Sequence, residues 1–473
     1  MKKILFILTT LSFTVGFSQN ITVNETFTPQ QLVEKLVTSG CVTLGNFSAS
    51  GGNFGTGELS YGYFNANGSA FPFQEGILLS TGKLNSAIGP NSNFSDDGNG
   101  SSWTGDTDLN TALGLSNTFN ATVLEFDFTP NANNISFDYI FSSEQYLLNP
   151  SPNQCNFTDG FAFLLKEASA TSYQNLAIIP GTSTPVKVNT VRGNGTICPP
   201  ANEAYFDAFN TGSYPTSFDG QTKILTAQSV VTPGTLYHIK LVIADEGNGR
   251  FDSGIFLRAG SFISEKDLGA DRLIATENPL CNGENLTLNA TQTGATGYQW
   301  FQNGNPILGE NNSTYNVTIA GNYSVEIDIN ATCTLTGSIE IEYAPNLIIT
   351  DTSFEVCDTD TDGLASFNLA TIQTQIFSNL PANFTVAMFD SPTSTTPLPS
   401  NYTNTNDFQQ IIYARIININ NCYGNIPITL NVNTFPQTFN NETIGICNNT
   451  PTNISAPSGF SSYSWNTNPV QTS

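Results

Sequence analysis

Alternating apolar and polar positions dominate the first 263 residues of the chain. Runs such as "TVLEFDF", "NISFDYIFS", "GFAFLLK", "VKVNTVR", "TKILTAQS", "LYHIKLVIA" and "SGIFLRAGSF" are rich in β-forming residues and are separated by Gly, Asn, Pro and Asp clusters. A period of two puts successive side chains on opposite faces, so each run predicts a short strand. Together they predict an all-β fold whose N-terminal part is a jelly-roll-like β-sandwich. One short helix interrupts the pattern near the start. Thr28 is placed to cap it, Pro29 suits its first position, Gln31 completes a capping box, and Leu32, Val33, Leu36 and Val37 form an apolar stripe.

The pattern changes after Phe262. "SEKDLGADRLIATENP" is charged and reads as a linker over 264–279, with a new unit beginning near Leu280. Cys281 is followed by "GYQW" ending at Trp300, and Cys447 by "SYSW" ending at Trp465, at similar spacing. In the first copy Cys333 follows "AGNYSVEI", which is the Cys, Trp, Cys order of an immunoglobulin-like sandwich with the Trp packed on its disulfide. The expected modules are therefore an immunoglobulin-like domain over 280–345, a further β module over 346–434 that Cys357 and Cys422 could bridge, and a truncated immunoglobulin-like copy over 435–473. Half a sandwich leaves its apolar face uncovered, so the natural chain is expected to be longer.

Composition narrows the function. The chain has 473 residues, a length that suits several domains. Only 11% of residues are charged, and 38 acidic against 14 basic residues give a formal net charge of −24. Such a chain repels phosphate backbones, so nucleic acid is an unfavourable partner and cations are favourable ones. "MKKILFILTTLSFTVGFSQN" has the basic start, apolar run and small residues Gly16 and Ser18 of a signal peptide cut near residue 18. No later stretch reaches the roughly 18 apolar residues of a membrane span. Eight cysteines without any CxxC spacing then read as disulfides of an exported, secreted or cell-surface protein.

The acids carry the candidate chemistry. In "FDYIFSSEQY", Phe137, Tyr139 and Phe141 share one face and Asp138 points to the other, a surface position. Glu144 lies past the strand end, where it is open to reading as a catalytic acid, a metal ligand or a polar strand terminus. Asp106 and Asp108 in "GDTDL", Asp159 in "FTDGF", and Asp245 and Asp252 in "ADEGNGRFDSG" also sit at expected strand ends. Close carboxylates repel unless a proton or cation lies between them, and Ca2+ accepts six to eight oxygens in loose geometry. Turn formation is the plainer explanation of the same residues. "DTDTDG" adds Asp358, Asp360 and Asp362 in the spacing of the first half of a calcium loop, but the position of its bidentate Glu is Leu369. Nucleophilic catalysis has little support. The single histidine, His238, reads as a solvent-facing strand residue, and Ser80 in "LLSTG" is not a GxSxG elbow. A pair of hydrolytic carboxylates, such as Glu144 and Asp245, stays open because separation in space is not readable from sequence.

Taken in order, "GILLSTG", "GPN", "DTDL", "VLEFDFTPNANNISFDYIFSSEQY", "FTDGFAFLL", "NLAIIPGTSTPVKVNTV", "SFDGQTKILTAQ" and "YHIKLVIADEGNGRFDSGIFLRAGSF" resemble the choice-of-anchor L domain over about residues 22 to 263. The resemblance implies an exported surface protein of Gram-negative bacteria that use type IX secretion, with no established enzymatic activity. It also implies that the later modules form a stalk before a C-terminal sorting domain, absent from a chain ending at Ser473, through which the outer membrane would be reached. Glu144, Asp159, Asp219, Asp245 and Asp252 match the family's motif positions, without an assigned role. By analogy with the family Cys155 pairs with Cys198, which leaves Cys41 over. The expected function is a non-enzymatic, adhesin-like head for a surface glycan or protein ligand. Two alternatives stand beside it: a lectin-like module, since "TDGFAFLL" is similar to the strand entry of legume-type lectins in which the Asp (here Asp159) contacts sugar, and an extracellular hydrolase.

Overall fold

The structure, a computed structural model, describes residues 19–434 apart from 38–40, 56, 92–93, 99–101, 196 and 359–360, together with 455, 464–465 and 471–472. The expected signal peptide, Asp360, and Cys447 with most of the second Cys and Trp copy lie outside the described residues. The chain divides into two compact units. One comprises Met1–Asp271, Leu286–Val317 and Gly321–Glu340, the other Arg272–Asn285, Thr318–Ala320 and Ile341–Ser473.

The N-terminal part of the first unit is a sandwich of two antiparallel sheets. The larger has nine strands, ordered Thr22–Asn24, Tyr61–Asn65, Glu75–Ser80, Ser253–Arg258, Asn134–Ser143, Gly220–Thr222 and Phe206–Phe209, with Leu225–Val230 and Ile263–Glu265 also paired to Asn134–Ser143. The smaller has five, ordered Val42–Ser50, Thr118–Pro130, Tyr237–Glu246, Gly160–Glu167 and Gln174–Asn175. The predicted phasing of "FDYIFSS" holds: Phe137 packs on Phe163 at 4.9 Å, and Tyr139 and Phe141 pack on Phe161 at 5.4 and 4.9 Å. Ile140 faces the other way, yet it too is fully buried, in a second cluster with Phe64, Phe71, Leu78, Phe218 and Phe256. Val242, Ala244, Ala162 and Leu164 likewise cover the outer face of the smaller sheet. Both faces of the central strands are thus buried, which is why "KLVIA" runs apolar without alternation.

The first helix forms as predicted over Pro29–Leu36: the Gln31 amide donates to Thr28 Oγ1 at 3.3 Å and the Thr28 amide to Gln31 Oε1 at 2.9 Å. A second helix, Thr107–Leu113, corrects the strand-end reading of "GDTDL". Asp106 caps it by accepting from the amides of Asp108 and Leu109 at 3.0 and 2.9 Å, and Gly114 ends it with a left-handed φ of 67°. With only Leu109 and Leu113 buried, a seven-residue helix leaves no periodic signal. "VKVNTVR" is not a strand. It bends where Thr190 Oγ1 accepts from the Lys187 amide at 2.8 Å and donates to Pro185 O at 2.7 Å.

The immunoglobulin-like part pairs Gly297–Gln302 with Asn305–Pro306 and with Gly321–Asn330, which neighbours Cys333–Ile341; Leu286–Asn289 pairs with Thr314–Val317. Trp300 is buried as expected, its Nε1 donating to Asn312 O at 2.8 Å beside the Tyr315 ring. Its disulfide is not as expected. Cys333 bonds Cys41, and Cys281 bonds Cys422, so the pairings Cys281 with Cys333 and Cys357 with Cys422 are corrected, and Cys41 is no longer left over. Cys357 is exposed and unbonded among the described residues. The reason is local docking. The Gln292 amide side chain donates to Asn131 O at 2.7 Å and the Asn131 amide to Cys41 O at 3.2 Å, which brings Cys41 beside Cys333. In the other unit the Asn420 backbone and side-chain amides hold Glu277 O and Pro279 O at 2.9 and 2.6 Å, seating Cys422 by Cys281. The pairing of Cys155 with Cys198 is found.

The second unit contains a sheet ordered Ser353–Asp358, Ile426–Thr434, Gln409–Ile416 and Val386–Phe389 and a helix, Leu369–Ile376, that the apolar pattern did not predict. Asn368 caps this helix by accepting from the Thr371 amide at 3.0 Å, and Ile372 and Ile376 join Ile412, Ile428 and Leu430 in the core. Among the described residues no helix is long and apolar enough to cross a membrane.

Candidate functional site

Four of the predicted acids converge at one end of the head sandwich. Glu144 follows the strand Asn134–Ser143, and its amide donates to Asp252 O at 3.1 Å, just before the strand Ser253–Arg258. Asp159 precedes Gly160–Glu167. Asp245 lies in Tyr237–Glu246 where the pairing register shifts, an irregularity that redirects a side chain. All four are sealed: Glu144 and Asp252 are 2% exposed, Asp159 and Asp245 0%.

A serine network fills the space between them. The Ser95 amide donates to both carboxyl oxygens of Glu144, at 3.1 and 2.9 Å, while Ser95 Oγ donates to Asp252 Oδ2. Ser253 Oγ donates to Asp159 Oδ2 at 2.8 Å, and the Glu246 amide to Asp159 Oδ1 at 3.1 Å. Gly82 is required here, because a Cβ would stand 2.0 Å from Asp252 Oδ2. Asp245 is different: neither of its oxygens meets a partner in hydrogen-bond geometry, nor does Asp252 Oδ1. The Thr81 hydroxyl eases Asp245 from nearby while accepting from the Ser253 amide at 2.9 Å.

Burial controls the charge of this cluster. It raises Glu144 to about 10, reinforced by Asp252, Asp219 and Asp97 and opposed by the Ser95 amide. Burial also pushes Asp159 and Asp245 well above the usual carboxylate range, each the more so for the other acids beside it. Asp252 is raised to about 6, again first by burial. At neutral pH the cluster is therefore rich in protons rather than in charge. Among the described residues no three His, Cys, Asp or Glu side chains are arranged to hold a metal ion.

The remaining predicted ligands lie elsewhere. Asp106 and Asp108 bracket the buried Lys240 ammonium at 2.6 and 2.8 Å; burial works against that charge, but the two carboxylates outweigh it and raise Lys240. Asp358 accepts from the amides of Thr361 and Gly363 at 2.9 and 2.7 Å, and Asp362 from the Leu364 amide at 2.8 Å, so "DTDTDG" closes on its own backbone. His238 is not simply solvent-facing: its Nδ1 sits 2.7 Å from Asp127 Oδ1 on the outer side of the smaller sheet. Asp138 is tied to Thr226 Oγ1 at 2.7 Å and Arg258 at 2.5 Å. Asp159, expected in the lectin-like alternative to touch sugar, has no exposed atom to do so, since both oxygens serve its own chain.

A cleft that the sequence pattern did not predict is lined by Phe94 and Phe251, each next in the chain to a member of this network. Its volume is about 650 Å³, and Asn91, Phe94, Asn210, Asp219, Arg250 and Phe251 line it. Phe94 is 50% exposed and packs on Phe251 at 4.7 Å with the rings inclined by 65°. Phe251 holds a left-handed φ of 65°, strained for an aromatic residue. Asn91 Nδ2 donates to Asp219 Oδ1 at 3.0 Å, and burial raises the Asp219 carboxyl. The available signal was an aromatic in each of the two loops, "NFSDD" and "GRFDS", one residue before a member of the network.

The fold and site define a disulfide-bonded all-β protein with loops mounted on a sealed acidic base. Residues 21–263, just over half of the chain, match the family described as the choice-of-anchor L domain, and the chain belongs to that family. Residues 353–436 match the Flavobacterium inter-domain disulphide bond domain, and Cys422 within that segment bonds Cys281 outside it. No curated protein matches. Similar solved structures include the insect immune protein hemolin, at 8% identity and a TM-score of 0.22 over 36% of this chain and 51% of that one. Another is Dpr2 Ig1-Ig2 in complex with DIP-Theta Ig1-Ig3, at 9% and 0.14 over 67% and 94%. A 1.5-MDa bacterial ice-binding adhesin aligns at 9% and 0.17 over 68% and 92%. The chain thus spans about half the length of the hemolin chain.

Proposed function

We propose that this is an exported, non-enzymatic surface protein whose head presents rigid loops for adhesion-type recognition, with type IX export and outer-membrane attachment. One observation carries the non-catalytic reading. Among the described residues the four acids that converge without a basic partner are sealed from solvent, and the others that meet, Asp106 and Asp108, are neutralised by Lys240, whereas a general acid or base must come within hydrogen-bond reach of substrate. The role of the sealed four is then to hold the loops from Ser95 and Asp252. The three disulfides among the described residues fit an oxidising, extracellular setting. The test is to coat beads with the full chain and count their retention on host or bacterial cells, alongside a panel of glycan and peptide hydrolysis assays. Retention above uncoated beads without turnover supports the proposal; turnover abolished by Glu144→Gln or Asp245→Asn would replace it with the hydrolase.

Calcium remains part of this proposal only at Asp245, whose two buried oxygens have no partner in good hydrogen-bond geometry beyond the nearby Thr81 hydroxyl. A divalent cation entering there would displace protons and draw Asp159, Asp245 and Asp252 inward, supplying positive charge where burial now suppresses negative charge. The expected outcome is a thermal midpoint several degrees higher in calcium than in chelator, since about 100-fold saturation stabilises by roughly 2.7 kcal/mol. Equal midpoints would leave protons as the cluster's only neutralising partner.

A further inference from the structure

We propose that the cleft between Phe94, Phe251, Asn91, Asn210, Asp219 and Arg250 is a carbohydrate-binding site that seats one pyranose ring. This rests on the recognition reading above and supplies its ligand class. Three features of the cleft select for sugar. A half-exposed aromatic ring offers a negative π-face to the C–H groups of a pyranose, and Phe94 is held at that exposure by Phe251 behind it. The Asp219 carboxyl and the Arg250 guanidinium line the cleft together with Asn91 and Asn210, whose amide groups donate to Asp219 Oδ1 and Phe218 O, and this mixture of acceptor and donor suits vicinal hydroxyls. The chain's net charge of −24 disfavours phosphate-bearing ligands.

The buried acids explain how such a site is kept ready. Ser95, one residue after Phe94, is bonded to Glu144 and Asp252, and Asp252 is one residue after Phe251. Both aromatic loops are therefore fastened to one sealed base, which lowers the ordering cost when ligand arrives. The left-handed backbone at Phe251 is the sort of strain that persists where surrounding bonds over-determine a conformation, as at ligand clamps. Asn91 and Asp219, both lining the cleft, are aligned by the bond between them.

The experiment is saturation-transfer NMR on the full chain with the methyl glycosides of glucose, galactose and mannose, followed by a glycan array for the wild type and for Phe94→Ala and Asp219→Asn. Transfer to at least one glycoside is expected, with affinity falling about tenfold in Phe94→Ala, the scale of one aromatic contact. Asp219→Asn keeps the fold's contact with Asn91 and is expected to lose affinity to a similar degree. Unchanged binding in both variants would overturn the assignment. So would an empty array with the folded chain. If beads still adhere to cells while the array is empty, the recognition reading survives and the sugar site alone fails.

Discussion

Replacing Glu144 by Gln tests whether this buried acid is neutral in the folded head. Burial raises its folded value to about 10 from 4.5, so the folded chain keeps a proton that the unfolded chain releases. Between those values unfolding releases a proton, and stability must fall as pH rises through the window; below about 4.5 both states hold the proton and the dependence ends. At pH 7 the gap above the unfolded value is about 2.5 units, which costs the folded head about 3 kcal/mol. Gln is neutral in both states and its carbonyl oxygen is still able to accept from the Ser95 amide. Glu144→Gln in chelator should accordingly gain about 1 to 3 kcal/mol at pH 7 and lose one proton's share of the slope between pH 5 and 9, the rest staying with Asp159 and Asp245, with little gained at pH 4.5. Hydrogen exchange of peptides from Asn134–Ser143 in the full chain, across denaturant and pH, reads the head separately from the other modules. A variant less stable than the wild type at pH 7, with the slope unchanged, would mean that Glu144 is ionised in the folded state and would refute the argument.

Lys240→Met should destabilise the head by about 2 to 4 kcal/mol, because it leaves Asp106 and Asp108 facing each other near a buried position; a loss under about 1 kcal/mol in denaturant melts would contradict the ion-pair assignment. Non-reducing peptide mapping should recover Cys41 with Cys333 and Cys281 with Cys422, and a peptide joining Cys281 to Cys333 would refute this connectivity. Cys41→Ser should lower stability by up to about 5 kcal/mol, since the bridge closes a sequence separation of 292 residues.

Local chemistry was legible in the order of residues. The capping box at Thr28 and Gln31 needs only neighbours three apart, and the faces of Phe137, Tyr139 and Phe141 follow from the period of a strand. The family's motifs and the buried Trp300 were legible for the same reason. The short helix Thr107–Leu113 was not, because its stability comes from the sheet beneath it and from Asp106 rather than from an apolar period.

The acids and cysteines divide on the same physical ground. Sequence offered Asp106, Asp108, Glu144, Asp159, Asp245, Asp252 and, more sharply, the "DTDTDG" acids as ligands without saying which would meet, since a carboxylate's partners are set by distance in space. Tertiary structure gave the first two to Lys240, turned Asp358 and Asp362 on their own loop, and buried the other four together in one network with Ser95 and Ser253. It likewise joined Cys41 to Cys333 across 292 residues, a pairing that spacing within one module never implies. What the chain determined alone was where strands and caps form; which charges meet, and which are kept from water, was decided only when the sheets closed and removed the solvent that would have screened them.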